Sequence, residues 1–487
     1  MKKTLLMAAF SAIVLITSCS KKEDDGDIVI PPPTEEEGDV VQVSGDITAS
    51  TNWTADKIYL LKGNVFVTNG ATLKIAAGTI IKGDKPTKGA LIITRGAKID
   101  AQGTSTNPIV FTSNAAAGAR EEGDWGGVIL LGKAPNNGGN SVPIEGISDA
   151  TDKGKHGGDD PHDNSGIMKY VRIEYAGIAL SPDNEINGLT FGSVGDGTTI
   201  DYIEVYRSGD DAYEWFGGTV NAKHLLAIDT WDDDFDTDNG FSGHVQFGLA
   251  QRLAATADVS GSNGFESDNN ATGTNATPQT LAVFSNMTIL GPREVLEKGP
   301  SINASFQHGA QIRRNSSISI LNSVIVGYTE GVFYDDALPA SPDVNNSSNN
   351  LLVDGTSVFE NNIVASSNSK SNQIKASSPA VLATLTTWLM DKNTFSPDLF
   401  AAGIYTDPYK FSPDIAPAAR AGVPNFVQIN GSPAATGAAF TNAKLGDAFF
   451  DKTVTFKGAF GSENWAQGWA NFNPQALAYT TPGSVTN

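Results

Sequence analysis

Hydrophobic positions in this chain alternate with polar ones over short runs, and most runs close on glycine or asparagine, the pattern of strands ended by tight turns. The runs repeat. Val65, Val67, Leu73 and Ile75 recur as Leu91, Ile93, Ile99 and Ala101 at a constant offset of 26, with Gly70-Ala71 returning as Gly96-Ala97. The second copy continues into PIVFTS (108–113), and GDWGGVILLG (123–132) supplies a further buried strand. Tyr170-Val171-Arg172-Ile173 aligns with Tyr202-Ile203-Glu204-Val205 at an offset of 32, and NMTILG (286–291), NSVIVG (322–327) and NNIVAS (361–366) align at offsets of 36 and 39.

Self-similarity at such periods marks a solenoid, propeller or array. The repeating unit is strand–turn–strand with no helix, which excludes ankyrin and leucine-rich arrays. A propeller needs blades of even length, and the drift from 26 to 39 argues against it. The pattern predicts an all-β, right-handed parallel β-helix over 44–370, with long edge loops where the offset exceeds a bare coil. Stacked coils place Asn286, Asn322 and Asn361 in one amide ladder. Residues 133–168, rich in Gly, Asn and Asp, read as a long excursion. The remaining 371–487 read as the end of the solenoid and its cap, including one short helix capped by Ser378 with Leu382, Leu385, Leu389 and Met390 on one face. Trp465 and Trp469 sit in a terminal segment expected to close the last open coil.

The N-terminus changes the picture. Two lysines precede an apolar run, Leu5 to Ile16, too short to span a bilayer and laid out as a signal peptide over 1–18. It ends Ile16-Thr17-Ser18-Cys19, resembling a bacterial lipobox, and Cys19 is the single cysteine of 487 residues. An exported chain with one cysteine has no disulfide framework, so lipidation of Cys19 is the expected use. Residues 19–43, starting Ser20-Lys21-Lys22-Glu23-Asp24-Asp25 and rich in proline and acid, read as a tether. The beginning of that tether resembles the export signal of outer-membrane lipoproteins that face the cell exterior. The formal charge is −21, and losing Lys2 and Lys3 makes the mature chain more negative still. Such a surface repels nucleic acid and suits divalent cations or neutral partners.

Acids cluster at three successive repeats: Asp210, Asp211 and Glu214; Asp232, Asp233, Asp234, Asp236 and Asp238; then Glu266 and Asp268. In coil register they form one column, whose mutual repulsion requires protons or cations. Asp234, Asp236 and Asp238 fit the first positions of an EF-hand loop, but Asn239 stands where glycine is needed and Val245 where the bidentate glutamate belongs. An EF-hand is therefore excluded, while Ca2+ held by carboxylates of adjacent coils stays open. The catalytic alternative is weaker: Gly243-His244 lacks its second glycine, and the nearest basic pair, Arg313-Arg314, matters only if it folds against the acids. His156 and His162 among Asp159, Asp160 and Asp163 read as a hydrated loop rather than a metal site. No G-x-S-x-G elbow is present. Trp215 and Trp231, beside the acids, are the candidate glycan-binding aromatics.

GDWGGVILLG, DNSGIMKYVRIEYAG (163–177), EINGLTFGSVGDGT (185–198), DDAYEWFGGTVNAKHL (210–225) and FKGAFG with NWAQGWANFNP near the end make the chain similar to a family of large Bacteroidota outer-membrane surface lipoproteins with a pectin-lyase-like β-helix. The resemblance, from about 45 to 475, implies fold and location and brings no activity. The expectation is a lipid-anchored, calcium-stiffened surface protein presenting loops for adhesion or glycan capture. Its expected partners are the outer membrane, through the acyl anchor, and a glycan or surface protein, with no nucleic acid. The alternative is a polysaccharide lyase or glycoside hydrolase on the same scaffold.

Overall fold

The computed structural model describes residues 35–147, 151–179, 185–293, 302–335, 348–367, 373–410 and 423–486. Cys19, the signal peptide and the start of the tether lie outside them. The chain winds into a right-handed parallel β-helix whose coils lay three strands in turn on three sheets. Each sequence offset reappears as a strand pairing: Val65 opposite Leu91, Val171 opposite Ile203, Thr288 opposite Val324 and Val324 opposite Ile363. The first paired strand of the solenoid, Val40–Ile47, starts inside the stretch read as tether.

One coil shows the rule. Thr199–Tyr206 begins on the first sheet, bends at Tyr202 and continues on the second; Tyr213–Gly218 then forms the third. The bend is a left-handed residue, and the same corner recurs at Tyr170, Tyr202, His224, Phe247, Asn286, Asn322 and Asn361, with φ between 50° and 64°. Asparagine tolerates this region and bulky residues rarely adopt it. The asparagine ladder forms in part. Asn361 Nδ2 donates to Asn322 Oδ1 at 2.6 Å, while the link to Asn286 passes through the Ser285 hydroxyl. Above it the column is aromatic: Tyr170 stacks on Tyr202 at 4.4 Å and Tyr202 on His224 at 4.2 Å.

Inward residues of all three sheets merge into one core running the length of the coils. Helix Pro379–Lys392, capped by the Ser378 side chain on the Val381 amide, closes the far end with Leu385 and Leu389 buried against that core. Leu382 and Trp388 pack partly against it; Met390, expected on the same face, is 41 % exposed.

The terminal segment is not an end cap. Beyond the last coil strand, Thr394–Ser396, the chain turns back and runs along the outside of the second sheet toward its first coils. The carbonyls of Gly437, Phe456 and Val485 accept in turn from the side chains of Asn361, Asn286 and Arg172. The reason lies in the strands. Leu226, Ile228, Leu249, Val324, Val326 and Ile363 face outward, and the returning chain buries them under Tyr405, Phe426, Phe460, Trp469 and Phe472, while Tyr479 and Val485 cover Ile58, Ile80 and Val110. The third sheet is covered differently. The excursion, which ends where strand Gly166–Glu174 begins, lays Ile144 and Ile147 over Phe66, Ile92 and Ile129.

Candidate functional site

The third sheet carries the acids on its outer face. Strand register places Thr190, Glu214, Asp236, Glu266 and Gln311 in one column, with Asp238 two residues further along its strand. Adjacent rungs stand ~5 Å apart. Two unit charges at that spacing repel by about 3 kcal/mol at an effective dielectric constant of ~20. The turns leading into these strands add a second file. Asp211 Oδ1 accepts the Asp233 amide at 2.7 Å, Asp233 Oδ1 accepts the Asn263 amide, and Asn263 Oδ1 accepts the His308 amide at 3.1 Å.

The file is neutralised unevenly. At its lower end Arg313 donates to Asp268 Oδ1 at 2.9 Å and pairs with Glu266, and Arg314 reaches Asp268 Oδ2 at 2.6 Å. These two acids, expected as cation ligands, are arginine partners instead. Asp234 is also corrected: it points inward, fully buried, and pairs with the fully buried Arg252 at 2.9 Å. Arg252 also donates to the carbonyls of Thr230 and Asn263, each at 2.6 Å, so the pair bolts two coils together. Asp233 is engaged in the backbone ladder, and Asp238 accepts from the backbone and side chain of Asn239.

Among the described residues the upper end has no arginine or lysine bonded to it. Asp210, Asp211 and Asp232 bring one carboxylate oxygen each within 4.8 Å of one another, and Asp211, Glu214 and Asp236 do the same. Two three-acid groups therefore share Asp211. Among the described residues, Oδ1 of Asp232 and Oδ1 of Asp236 are buried without a hydrogen-bond partner, an arrangement that is costly unless something binds there. Burial, then the neighbouring acids, pushes Asp210, Asp211, Glu214, Asp233 and Asp236 well above the usual carboxylate range. Asp232 rises to about 6 by burial, and Asp238 to about 7 by burial and then Asp268. Glu145 and Glu185, from loops covering the third sheet, add their charges to Asp210. Neither was visible as a site residue, because each joins through a loop with no fixed offset to the repeat. Asn187 was missed likewise; its amide donates to Glu214 Oε2 at 2.5 Å.

The two candidate tryptophans part company. Trp215 is fully buried, stacked between Phe191 and Phe241 at 5.3 Å from each, because it faces inward one residue after Glu214. It presents no surface to a ligand. Trp231 is 37 % exposed beside Asp232, its indole donating to Asp258 at 2.9 Å. It edges a cleft of about 610 Å³ shared with Lys85, Arg207 and Gly209. The histidines of the excursion also diverge. His156 is buried with Nδ1 2.8 Å from Ser193 Oγ and its pKa pushed down to about 4 by burial, whereas His162 is exposed against Asp196.

Comparison with solved structures gives a likeness to the Dettilon tailspike protein (gp208), at 11 % identity over 68 % of this chain and 63 % of that one, with a TM-score of 0.23. So low a score carries no weight. A search of curated proteins gives no match. A family model described as a pectate-lyase-like β-helix domain matches residues 45–394, which include every coil bearing the acid column. This chain belongs to the pectate-lyase-like β-helix domain family.

Proposed function

We propose that this protein is a lipid-anchored β-helix of the outer cell surface that binds calcium at the upper acid column and captures a glycan beside it, without cleaving it. The observation that carries the reading is the asymmetry of the column. Arginines neutralise its lower rungs, while Asp210, Asp211, Glu214, Asp232 and Asp236 converge with no basic side chain bonded to them among the described residues. Calcium takes six to eight oxygens at 2.3–2.6 Å in flexible geometry, and five carboxylates on two rungs supply such a set. Membership of a pectate-lyase-like family fits a polysaccharide-related protein, and Trp231 offers an aromatic face next to Asp232.

A cleaving enzyme fits less well. A lyase base must stand unprotonated to take the substrate's proton. Arg313 would be pushed down by burial, but Glu266 and Asp268 hold it well above its ordinary value. A carboxyl pair flanking a glycosidic bond must face an open groove, yet Asp211 and Glu214 are 7 % and 8 % exposed.

Calorimetric titration of metal-stripped protein at pH 7.5 tests the cation site. Calcium is expected to bind the wild type and to bind Asp236→Asn at least tenfold more weakly. No calcium heat at millimolar concentration would end the proposal. The anchor is tested separately: Cys19→Ala is expected to leave the membrane fraction, and a variant that stays membrane-bound would contradict lipidation.

A further inference from the structure

A different corner of the molecule holds a second cleft, of about 240 Å³, between the aromatic ladder and the returning C-terminal segment. Its floor is the stacked run Tyr202, His224 and Phe247, with rings 4.2 and 5.3 Å apart and inclined by 11° and 18°. These are the corner positions with φ of 55°, 51° and 64°. Lower in the same column the corner is made by asparagine, which takes this conformation readily. Bulky rings thus occupy strained backbone where the cleft lies, and strain of this kind gathers at binding sites.

Trp465 makes the wall. Its indole N–H donates to the Ala459 carbonyl at 2.8 Å and its ring stacks on Phe460 at 4.6 Å, so it is fixed before any ligand arrives. It stands nearly perpendicular to Tyr202 and His224, at 80° and 70°. The rim is polar. Asp451 is held below the usual carboxylate range, first by the Thr453 hydroxyl, and Glu463 lies on the exposed lip. His224 is oriented by Asp201, which binds Nδ1 at 2.8 Å and leaves Nε2 as the ring nitrogen for a ligand.

We infer that this cleft is a saccharide-binding site for a neutral sugar unit, distinct from the acid column. The stacked rings cover one another's faces and line the floor with their edges, and Trp465 stands across them. Together they give apolar surface to the C–H groups of a pyranose while the carboxylates accept from its hydroxyls. Clefts that set aromatic surface beside a few placed polar groups are how small ligands are held. The charge of the rim selects among sugars. The lining includes Asp451 and Glu463 and neither lysine nor arginine, so a uronate would meet like charge at the rim, with Lys223 acting on Asp451 from outside the lining.

The cleft shares only the glycan class with the proposed function, and the test separates the two. Full-length protein is titrated in EDTA with neutral oligosaccharides of glucose, mannose, galactose and xylose, with oligogalacturonate, and with tetramethylammonium as a cation probe. At least one neutral oligosaccharide is expected to bind, with affinity unchanged by calcium or by Asp236→Asn. Trp465→Ala is expected to weaken it tenfold or more. Glu463→Gln, at an exposed position that leaves the melting temperature unaltered, is expected to weaken it severalfold. The inference is overturned if no neutral saccharide binds at millimolar concentration. It is also overturned if only oligogalacturonate or tetramethylammonium binds, or if both variants bind as the wild type does. Calcium-dependent binding lost on Trp231→Ala alone would support capture at the acid column and overturn this cleft.

Discussion

A chain ended after Ser396 is expected to fail to give soluble, cooperatively melting protein, although every coil of the β-helix is present in it. The returning segment is the outer layer of the second sheet. Its loss would bare Leu226, Ile228, Leu249, Val324, Val326 and Ile363, together with Ile58, Ile80 and Val110. Each such side chain contributes about 1.5–3 kcal/mol when buried, so together the nine supply roughly 14–27 kcal/mol, as much as or more than the 5–15 kcal/mol by which a domain is ordinarily stable. Arg172 would also lose the Val485 carbonyl at 2.6 Å and the Tyr479 hydroxyl at 3.1 Å. The measurement is expression and light scattering of the truncated chain beside full-length protein. A soluble monomer melting within a few degrees of full length would show that the segment is an accessory, not a structural layer.

That role was legible only in hindsight, and the reason is physical. Repeat offsets report which residues stack, so the register of Val65 on Leu91 and Val324 on Ile363 could be read directly from the chain. Offsets do not say what lies across an outer face. The clue was in runs such as Leu225-Leu226-Ala227-Ile228 and Val324-Ile325-Val326, which do not alternate and so must be buried on both sides. The acid column was legible for the same reason as the coils: Glu214 and Asp236 differ by one repeat and pair in register. The direction of each side chain was not. Trp215 and Asp234 face the core, and a one-residue shift along a strand reverses the face. Nor did the sequence show that Arg313 and Arg314, at the end of the next strand, would reach Glu266 and Asp268.

Calcium is expected to stabilise the protein by an amount that grows with pH. In the fold Asp232 and Asp238 hold their protons up to about 6 and 7, whereas in the unfolded chain they titrate near the ordinary value of ~3.9. A folded pKa above the unfolded one gives stability that is complete at low pH and is lost as pH rises through the folded value. Metal-stripped protein should therefore melt at progressively lower temperature from pH 5 to pH 8. A bound cation replaces the protons and reverses that loss, releasing protons as it binds. At one hundred times Kd it adds about 2.7 kcal/mol, a rise of roughly 3 °C for a domain of this length. The increment should be near zero at pH 5 and largest at pH 8, and Asp211→Asn, which touches both acid groups, should nearly abolish it. Melting curves in EDTA and in calcium that superimpose at pH 8 would contradict the account.

The most direct test is crystallographic. Crystals grown with calcium, measured for anomalous scattering, should show an ion within about 2.3–2.6 Å of carboxylate oxygens of Asp211, shared with Glu214 and Asp236 or with Asp210 and Asp232. Carboxyl groups in direct hydrogen-bonded contact with one another, with no ion between them at millimolar calcium and neutral pH, would mean that protons alone neutralise the column.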